Sequence, residues 1–187
     1  MDNLEYFSQT LNKFKDGPKA VSWGSHASQQ VRFEVLAEIG NMKGASVLDF
    51  GCGLGDLYPY LKSLGIKSYV GYDINKDMIL AAGKKHKTNF TTIFPRKRFD
   101  WVLASGVFNI PIQNWLFETY YLVLKMYFLC KKGVAVNFLS NVARDSFPEH
   151  SYFADPFRMS LELSNISNKF VLRHDYKNND FTIYLLR

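Results

Sequence analysis

The sequence predicts an α/β protein, a mostly parallel sheet whose strands are joined through helices. Three observations carry this. The apolar run 45–50 holds one acid, Asp49, and ends in glycines on alternate positions, Gly51, Gly53 and Gly55. A second apolar run, 68–73, ends in Asp73 one helix and one turn later. Residues 170–176 and 180–186 are β-type runs around the polar turn Lys177-Asn178-Asn179, the pattern of an antiparallel pair. Apolar runs bounded by glycine are how strands buried on both faces of a parallel sheet read in sequence.

The remaining elements follow in chain order. Residues 3–15 and 27–41 are helical and precede the strand 45–50. Helical periodicity returns over 55–64, followed by a strand at 67–73, a helix at 75–83 and a strand near 89–94. Then come a strand at 99–105, a helix at 113–130, a strand at 133–139, a helix near 157–167 and the final pair. Residues 120–130 are the most apolar stretch, but Lys125 interrupts them and they are too short to span a bilayer. The helix they belong to is expected to pack on the sheet and on its neighbours, which explains apolar residues nearly all round it. One connection is anomalous. Only Pro95-Arg96-Lys97-Arg98 separate the strands near 94 and 99, whereas a parallel crossover takes about a dozen residues. Either 89–94 is not a parallel strand, or the preceding helix is short and the sheet edge is degenerate.

Glycines directly after a strand let backbone N–H groups approach a ligand that a Cβ would repel. Here they lie between a strand's C-terminal end and a helix, where open α/β sheets bind ligands. A dinucleotide fingerprint, G-x-G-x-x-G, would place its last glycine at 56, which is Asp56. The chain has G-x-G-x-G preceded by an acid instead. Asp73 lies 18 residues beyond Gly55, where a carboxylate can accept hydrogen bonds from both ribose hydroxyls. It is also well placed to cap the helix from 75, and both roles can hold at once.

The acid-led glycine pattern resembles motif I of the class I S-adenosylmethionine-dependent methyltransferases, and Asp73 resembles that family's motif II acid. Phe99-Asp100-Trp101-Val102-Leu103-Ala104-Ser105-Gly106 looks like the family's fourth strand, and Lys132-Gly133-Val134-Ala135-Val136-Asn137-Phe138 like its fifth. The resemblance covers about residues 44–187. It implies a three-layer α/β/α Rossmann-like methyltransferase fold with a mostly parallel seven-stranded sheet, or six-stranded if 89–94 fails, and an antiparallel C-terminal strand. Its strand order would be 3-2-1-4-5-7-6, with right-handed crossovers. The expected organisation is one domain, 1–187, with a helical N-terminal cap (1–43) before the core (44–187).

The resemblance implies S-adenosylmethionine as methyl donor and S-adenosylhomocysteine as product. The cofactor residues would be Asp49, Gly51, Cys52, Gly53, Gly55, Asp73 and Ser105, with Ile74 packed on adenine. Arg32 could pair with the methionyl carboxylate, a geometry arginine suits, or be an exposed helix charge near Glu34. Trp23 could cover the cofactor or staple the core. No acid lies between Asp77 and Asp100, so adenine would be held by backbone and packing, or by Asn89 or Thr91. Methyl transfer from a sulfonium needs alignment and a dry site more than a fixed catalytic residue. Ser105 and Asn109 are the better candidates for orienting an acceptor. His150 and Tyr152 are candidate bases, in a polar cluster with Asn137, Asn141, Arg144, Asp145 and Asp155.

The chain carries a net charge of +6, and Lys84, Lys85, His86, Lys87, Arg96, Lys97 and Arg98 fall in an acid-free stretch. That is either a nucleic-acid footprint or a solvated edge. The chain lacks a (D/N)-P-P-(Y/F/W) motif after the fourth strand, and no RNA-binding domain is expected in 187 residues. A small-molecule acceptor, methylated at O or N, is therefore the leading reading. An RNA or DNA methyltransferase and a non-catalytic S-adenosylmethionine-binding protein are the alternatives. Hydrophobic residues make up 47% of the chain and aromatics 16%, which excludes a disordered chain. Two cysteines, no apolar leader and no metal-ligand spacing suit a metal-free cytoplasmic enzyme.

Overall fold

The computed structural model describes residues 3–21, 25–142 and 151–187. Its strands are β1 (Ser46–Phe50), β2 (Ser68–Tyr72), β3 (Asn89–Thr91), β4 (Phe99–Ala104), β5 (Cys130–Ser140), β6 (Phe153–Ala154), β7 (Phe170–Arg173) and β8 (Asp180–Leu186). They form one sheet in the order β3-β2-β1-β4-β5-β8-β7. β1 to β5 run parallel, while β8 is antiparallel to β5 and β7 to β8. The expected seven strands are present in the expected order. The sheet gains an eighth, the two-residue β6, which pairs parallel with Leu139 and Ser140. It uses the end of β5 that β4 leaves unpaired, since β4 meets β5 only as far as Val136.

The helices are α1 (Asn3–Phe14), α2 (His26–Ala37), α3 (Leu57–Ser63), α4 (Lys76–Lys85), α5 (Trp115–Leu129) and α6 (Pro156–Ser164), with a 3-10 turn at Pro18–Val21. Successive strand residues point to opposite faces. Val47, Tyr69, Trp101 and Ala135 pack with Phe33 and Leu36 of α2 and Leu57 and Leu61 of α3. Leu48, Val102, Val134 and Val136 pack with Val123 and Met126 of α5 and Met159 and Leu163 of α6. Both faces are covered, so the central strands read as unbroken apolar runs.

Short polar side chains start the helices. Asn75 caps α4, accepting from the N–H groups of Asp77 and Met78 at 2.9 and 3.2 Å. Asp155, followed by Pro156 in the first turn, caps α6 in the same way. Two expectations change here. Asp73 is not the cap of α4, and Asp155 serves the helix rather than an acceptor cluster. Asp100 braces β4 to β1: its carboxylate accepts from the Ser46 N–H and hydroxyl at 2.8 and 2.7 Å. Those bonds hold it below the usual carboxylate range.

β3 is a parallel strand, but it ends at Thr91 and not near 94, so the connection to β4 is the seven residues 92–98. β3 has only three residues, and β4 lies three strand positions away. At about 4.8 Å per position the sideways step is roughly 15 Å, and residues 92–98 in extended form span about 25 Å. An extended strap therefore replaces the usual helix. The helix α5 also departs from expectation. Trp115, Thr119, Val123 and Met126 are buried on the sheet side, but Phe117, Tyr121 and Phe128 are exposed. Neighbours do not enclose it.

Candidate active site

At the C-terminal end of β1 the backbone turns through Gly51, Gly53 and Gly55, all at positive φ (72°, 50° and 74°). Only glycine adopts this series without strain. The N–H groups of Gly51 and Cys52 both donate to the Tyr72 carbonyl at 2.7 and 3.0 Å, pinning the loop over the end of β2. A Cβ at Gly51 would lie 2.4 Å from Val107, and one at Gly55 2.6 Å from the Phe90 ring. The loop thus has space for no other residue at these two positions.

Three carboxylates surround the loop. Asp73 accepts from the N–H of Gly53 at 2.9 Å and of Asn75 at 2.8 Å, so it joins the two βα turns. Burial pushes its carboxyl above the usual range, against the backbone bonds that favour the charged form. Asp49 is 2% exposed and accepts from the Tyr69 hydroxyl at 2.7 Å. Desolvation pushes its carboxyl up to about 7. Asp56 is held by Lys85 at 2.7 Å, and Lys85 also reaches Asp16 at 2.6 Å, tying the segment after α1 to the loop.

These groups border a cavity of about 360 Å³, within the usual range for small-molecule sites. Leu4, Phe7 and Val21 roof it from the N-terminal segment, and Ile74, 64% exposed, stands at its side. Phe94 from the strap packs edge-on against Phe50 and Tyr72, closing the wall that a helix would otherwise form. Ser105 and Thr119 both line the cavity, and both hydroxyls are buried without a hydrogen-bond partner among the described residues. Unpaired buried hydroxyls are costly unless something binds them. Acids at one end, a glycine turn and an unpaired Ser105 hydroxyl fit a ligand with a cationic head, a ribose diol and an apolar ring. S-adenosylmethionine is such a ligand.

Of the residues singled out in sequence, Asp49, Gly51, Cys52, Gly53, Asp73, Ile74 and Ser105 all line this cavity. Gly55 shapes the loop from behind. Arg32 does not join them. It is 5% exposed, and its guanidinium clasps Asp180 of β8 through Nε at 2.7 Å and Nη2 at 2.5 Å. It is neither a cofactor ligand nor an exposed helix charge. Gln29, one turn earlier, faces the cavity in its place. Trp23, Arg144, Asp145 and His150 lie outside the described residues. Asn109 and Asn137 turn inward to the backbone, accepting from the N–H groups of Leu139 (3.2 Å) and Gly106 (2.8 Å). The Tyr152 ring stacks on Trp115 at 3.9 Å, behind the cavity wall. Asn89 and Thr91 do not line the cavity, and the Thr91 hydroxyl accepts from the Ile93 N–H.

Sequence reasoning missed Phe94, Thr119 and Lys125. Thr119 did leave a signal, as the lone hydroxylic residue on the buried side of an otherwise apolar helix. The Cys52 thiol is raised well above its usual pKa by burial, which makes it an inert packing group.

The sequence profile of methyltransferase domains matches residues 23–116, about half the chain. A protein of Mycobacterium tuberculosis named as a methyltransferase is 28% identical over 150 residues, covering 74% of this chain and 90% of that one. The ribosomal protein L11 methyltransferase of Haemophilus influenzae is 37% identical over 82 residues, which is 44% of this chain and 27% of that enzyme. Among solved structures, the magnesium protoporphyrin IX methyltransferase of Synechocystis with bound S-adenosylmethionine has a TM-score of 0.70 at 19% identity, covering 100% and 98% of the two chains. The DhpI complex with S-adenosylmethionine and HEP has a TM-score of 0.72 at 16% identity, covering 98% and 95%. The chain belongs to the methyltransferase-domain family, and it has the fold of these S-adenosylmethionine-bound structures.

Proposed function

We propose that the enzyme methylates an oxygen or nitrogen of a small-molecule acceptor, working as one domain in which residues 1–43 cap the core 44–187. The observation that carries this reading is the roofed cavity, which ends at the unpaired Ser105 hydroxyl beside the tip of β4. Leu4, Phe7 and Val21 narrow its mouth to something suited to a metabolite. One structural neighbour supports this. The name of the Synechocystis enzyme gives magnesium protoporphyrin IX, a small molecule, as what it methylates.

S-adenosylmethionine, when bound, supplies a sulfonium-activated methyl group and is released as S-adenosylhomocysteine. The residues of this chain would divide the remaining work. Asp73 would accept hydrogen bonds from the ribose diol, which a carboxylate already fixed by two backbone donors can do without reorganising. The Gly51–Gly55 turn would bring the backbone against the methionyl part, with Asp49 and Cys52 as its floor. Ile74 and Phe94 would enclose adenine by packing alone, replacing the missing acid of the β3 loop. Ser105 would orient the acceptor. The apolar roof excludes water, which strengthens these polar contacts.

Two of the seven basic residues behind the nucleic-acid reading are engaged within the protein. Lys85 is committed to Asp16 and Asp56, and Arg98 donates to the Cys130 carbonyl at 2.6 Å. The test uses methyl-labelled S-adenosylmethionine with a cell extract split into low-mass, RNA and protein fractions. Label should enter the low-mass fraction. Label confined to RNA or protein would overturn the reading.

A further inference from the structure

The strap 92–98 covers its face of the sheet thinly, and that face carries an unusual row of side chains. Ile93 is 75% exposed, and Phe94 beside it partly so. On the adjacent α5, Phe117, Tyr121 and Phe128 are 66%, 44% and 65% exposed and share one side of the helix by their spacing. The Phe117 and Tyr121 rings stack at 6.4 Å. Lys125 joins helix to strap, its ammonium 4.1 Å from the Tyr121 ring and 5.8 Å from that of Phe94. α6, which packs against α5, exposes Phe157 and Leu161 at 73% and 70%. Single exposed apolar residues are ordinary, but a group of them on a strap and two helices marks an interaction surface.

The charges on this face select its partner. Arg96, Lys97 and Arg158 are exposed around the row, and Lys125 has no carboxylate partner among the described residues. Against them stand Glu118 and Glu162, both half-buried, and the exposed Asp155, whose carboxylate is engaged by the first N–H groups of α6. We propose that this face docks on an anionic lipid bilayer. The aromatic and aliphatic side chains enter the headgroup layer, and the four cations meet lipid phosphates. Aromatic rings and flanking cations are what bind the membrane interface. Among the described residues no helix is long and apolar enough to cross a bilayer, so the contact is peripheral. A second copy of the chain fits less well, because a two-fold interface would set the same cations against each other. Nucleic acid fits less well too, since Ile93 and Leu161 would project without a base to stack on.

Sedimentation of the full chain with vesicles of phosphatidylcholine alone, and of phosphatidylcholine with phosphatidylglycerol in equal parts, tests this. Binding is expected to the mixed vesicles, to weaken as salt rises, and to fall by about tenfold or more in the double variant Ile93→Asp/Phe128→Asp. Arg96→Glu/Lys97→Glu should lower it by about fivefold for each charge removed. S-adenosylmethionine affinity, measured by calorimetry, should stay unchanged in both and so report an intact fold; if the apolar variant fails to fold, the charge variant decides. No binding to the mixed vesicles overturns the proposal. So does light scattering that shows a dimer abolished by Ile93→Asp/Phe128→Asp, or tighter binding to generic RNA than to vesicles.

Discussion

Around the glycine loop, the backbone N–H groups held by Asp73 and Asn75 lie within twenty residues of them, although Asp56 is tied to Lys85 across 29. Asp73 accepts from Asn75 two residues on and from Gly53 twenty residues back, and Asn75 caps the helix that follows it. Beyond the tip of β4 the backbone N–H groups held by side chains lie 30 and 31 residues away. Asn137 accepts from Gly106 across 31 residues, and Asn109 mates with Leu139 across 30. Two asparagines there stand in for strand pairing where β4 ends and β5 continues. The first arrangement imprints a motif on the sequence. The second leaves isolated asparagines that read equally well as ligands for an acceptor.

Arg32 is the largest instance of that contrast and the place to break it. Its partner Asp180 is 148 residues away, and the pair is 6% and 1% exposed at the side chains. Removing Arg32 leaves Asp180 with Lys177 at 3.5 Å, so the loss should fall at the low end of the ~3–5 kcal/mol for breaking a buried pair. Arg32→Ala should therefore lose that much in urea unfolding while the folded fraction keeps its S-adenosylmethionine affinity. Normal stability with weakened cofactor binding would return Arg32 to the site.

The same logic explains what was legible in sequence. The strands and the acid-glycine turn came through because burial on both faces and positive φ each demand particular residue types over a few positions, while the order of the strands came from the family resemblance. The strap did not, because a short connection states a length and not a path; its role as cavity wall depends on Phe94 meeting Phe50 and Tyr72. Likewise, an apolar α5 looks the same in sequence whether its outer side is enclosed or exposed. β6 was invisible, since two residues carry no periodicity.

Asp49 gives the next largest effect. Its folded pKa of about 7 lies above the ordinary value for an aspartate. Between those two values the native state holds a proton that the unfolded chain has lost, so stability falls as pH rises and the loss is complete above about pH 7. The slope can reach about 1 kcal/mol per pH unit. Thermal unfolding of the ligand-free protein from about pH 5 to about pH 8 should show this decline, flattened in Asp49→Asn, whose amide can still accept from Tyr69. Parallel curves would mean that Asp49 is already ionised well below neutral pH.

Asp73→Ala should weaken S-adenosylmethionine binding in calorimetry by about 2 kcal/mol, the scale of hydrogen bonds to a charged group. Gly53 and Asn75 donate to different oxygens of Asp73, so Asp73→Asn can hold only one of them; it should lose part of the binding and loosen the loop. Equal affinity in all three proteins would remove Asp73 from the cofactor and leave it as a brace between two turns.

Ser105 sharpens the comparison with the smallest effect, because there the sign matters more than the size. A buried hydroxyl with no partner lowers stability, so Ser105→Ala should leave urea unfolding unchanged or raise stability by up to about 1 kcal/mol. If the hydroxyl orients the acceptor, the same change should lower kcat/KM for the acceptor by about tenfold while S-adenosylmethionine affinity holds. A drop in stability would show that the hydroxyl serves the backbone, as Asn109 and Asn137 do. In that case acceptor orientation at the tip of β4 would have to come from the shape of the cavity around Val107 and Trp115.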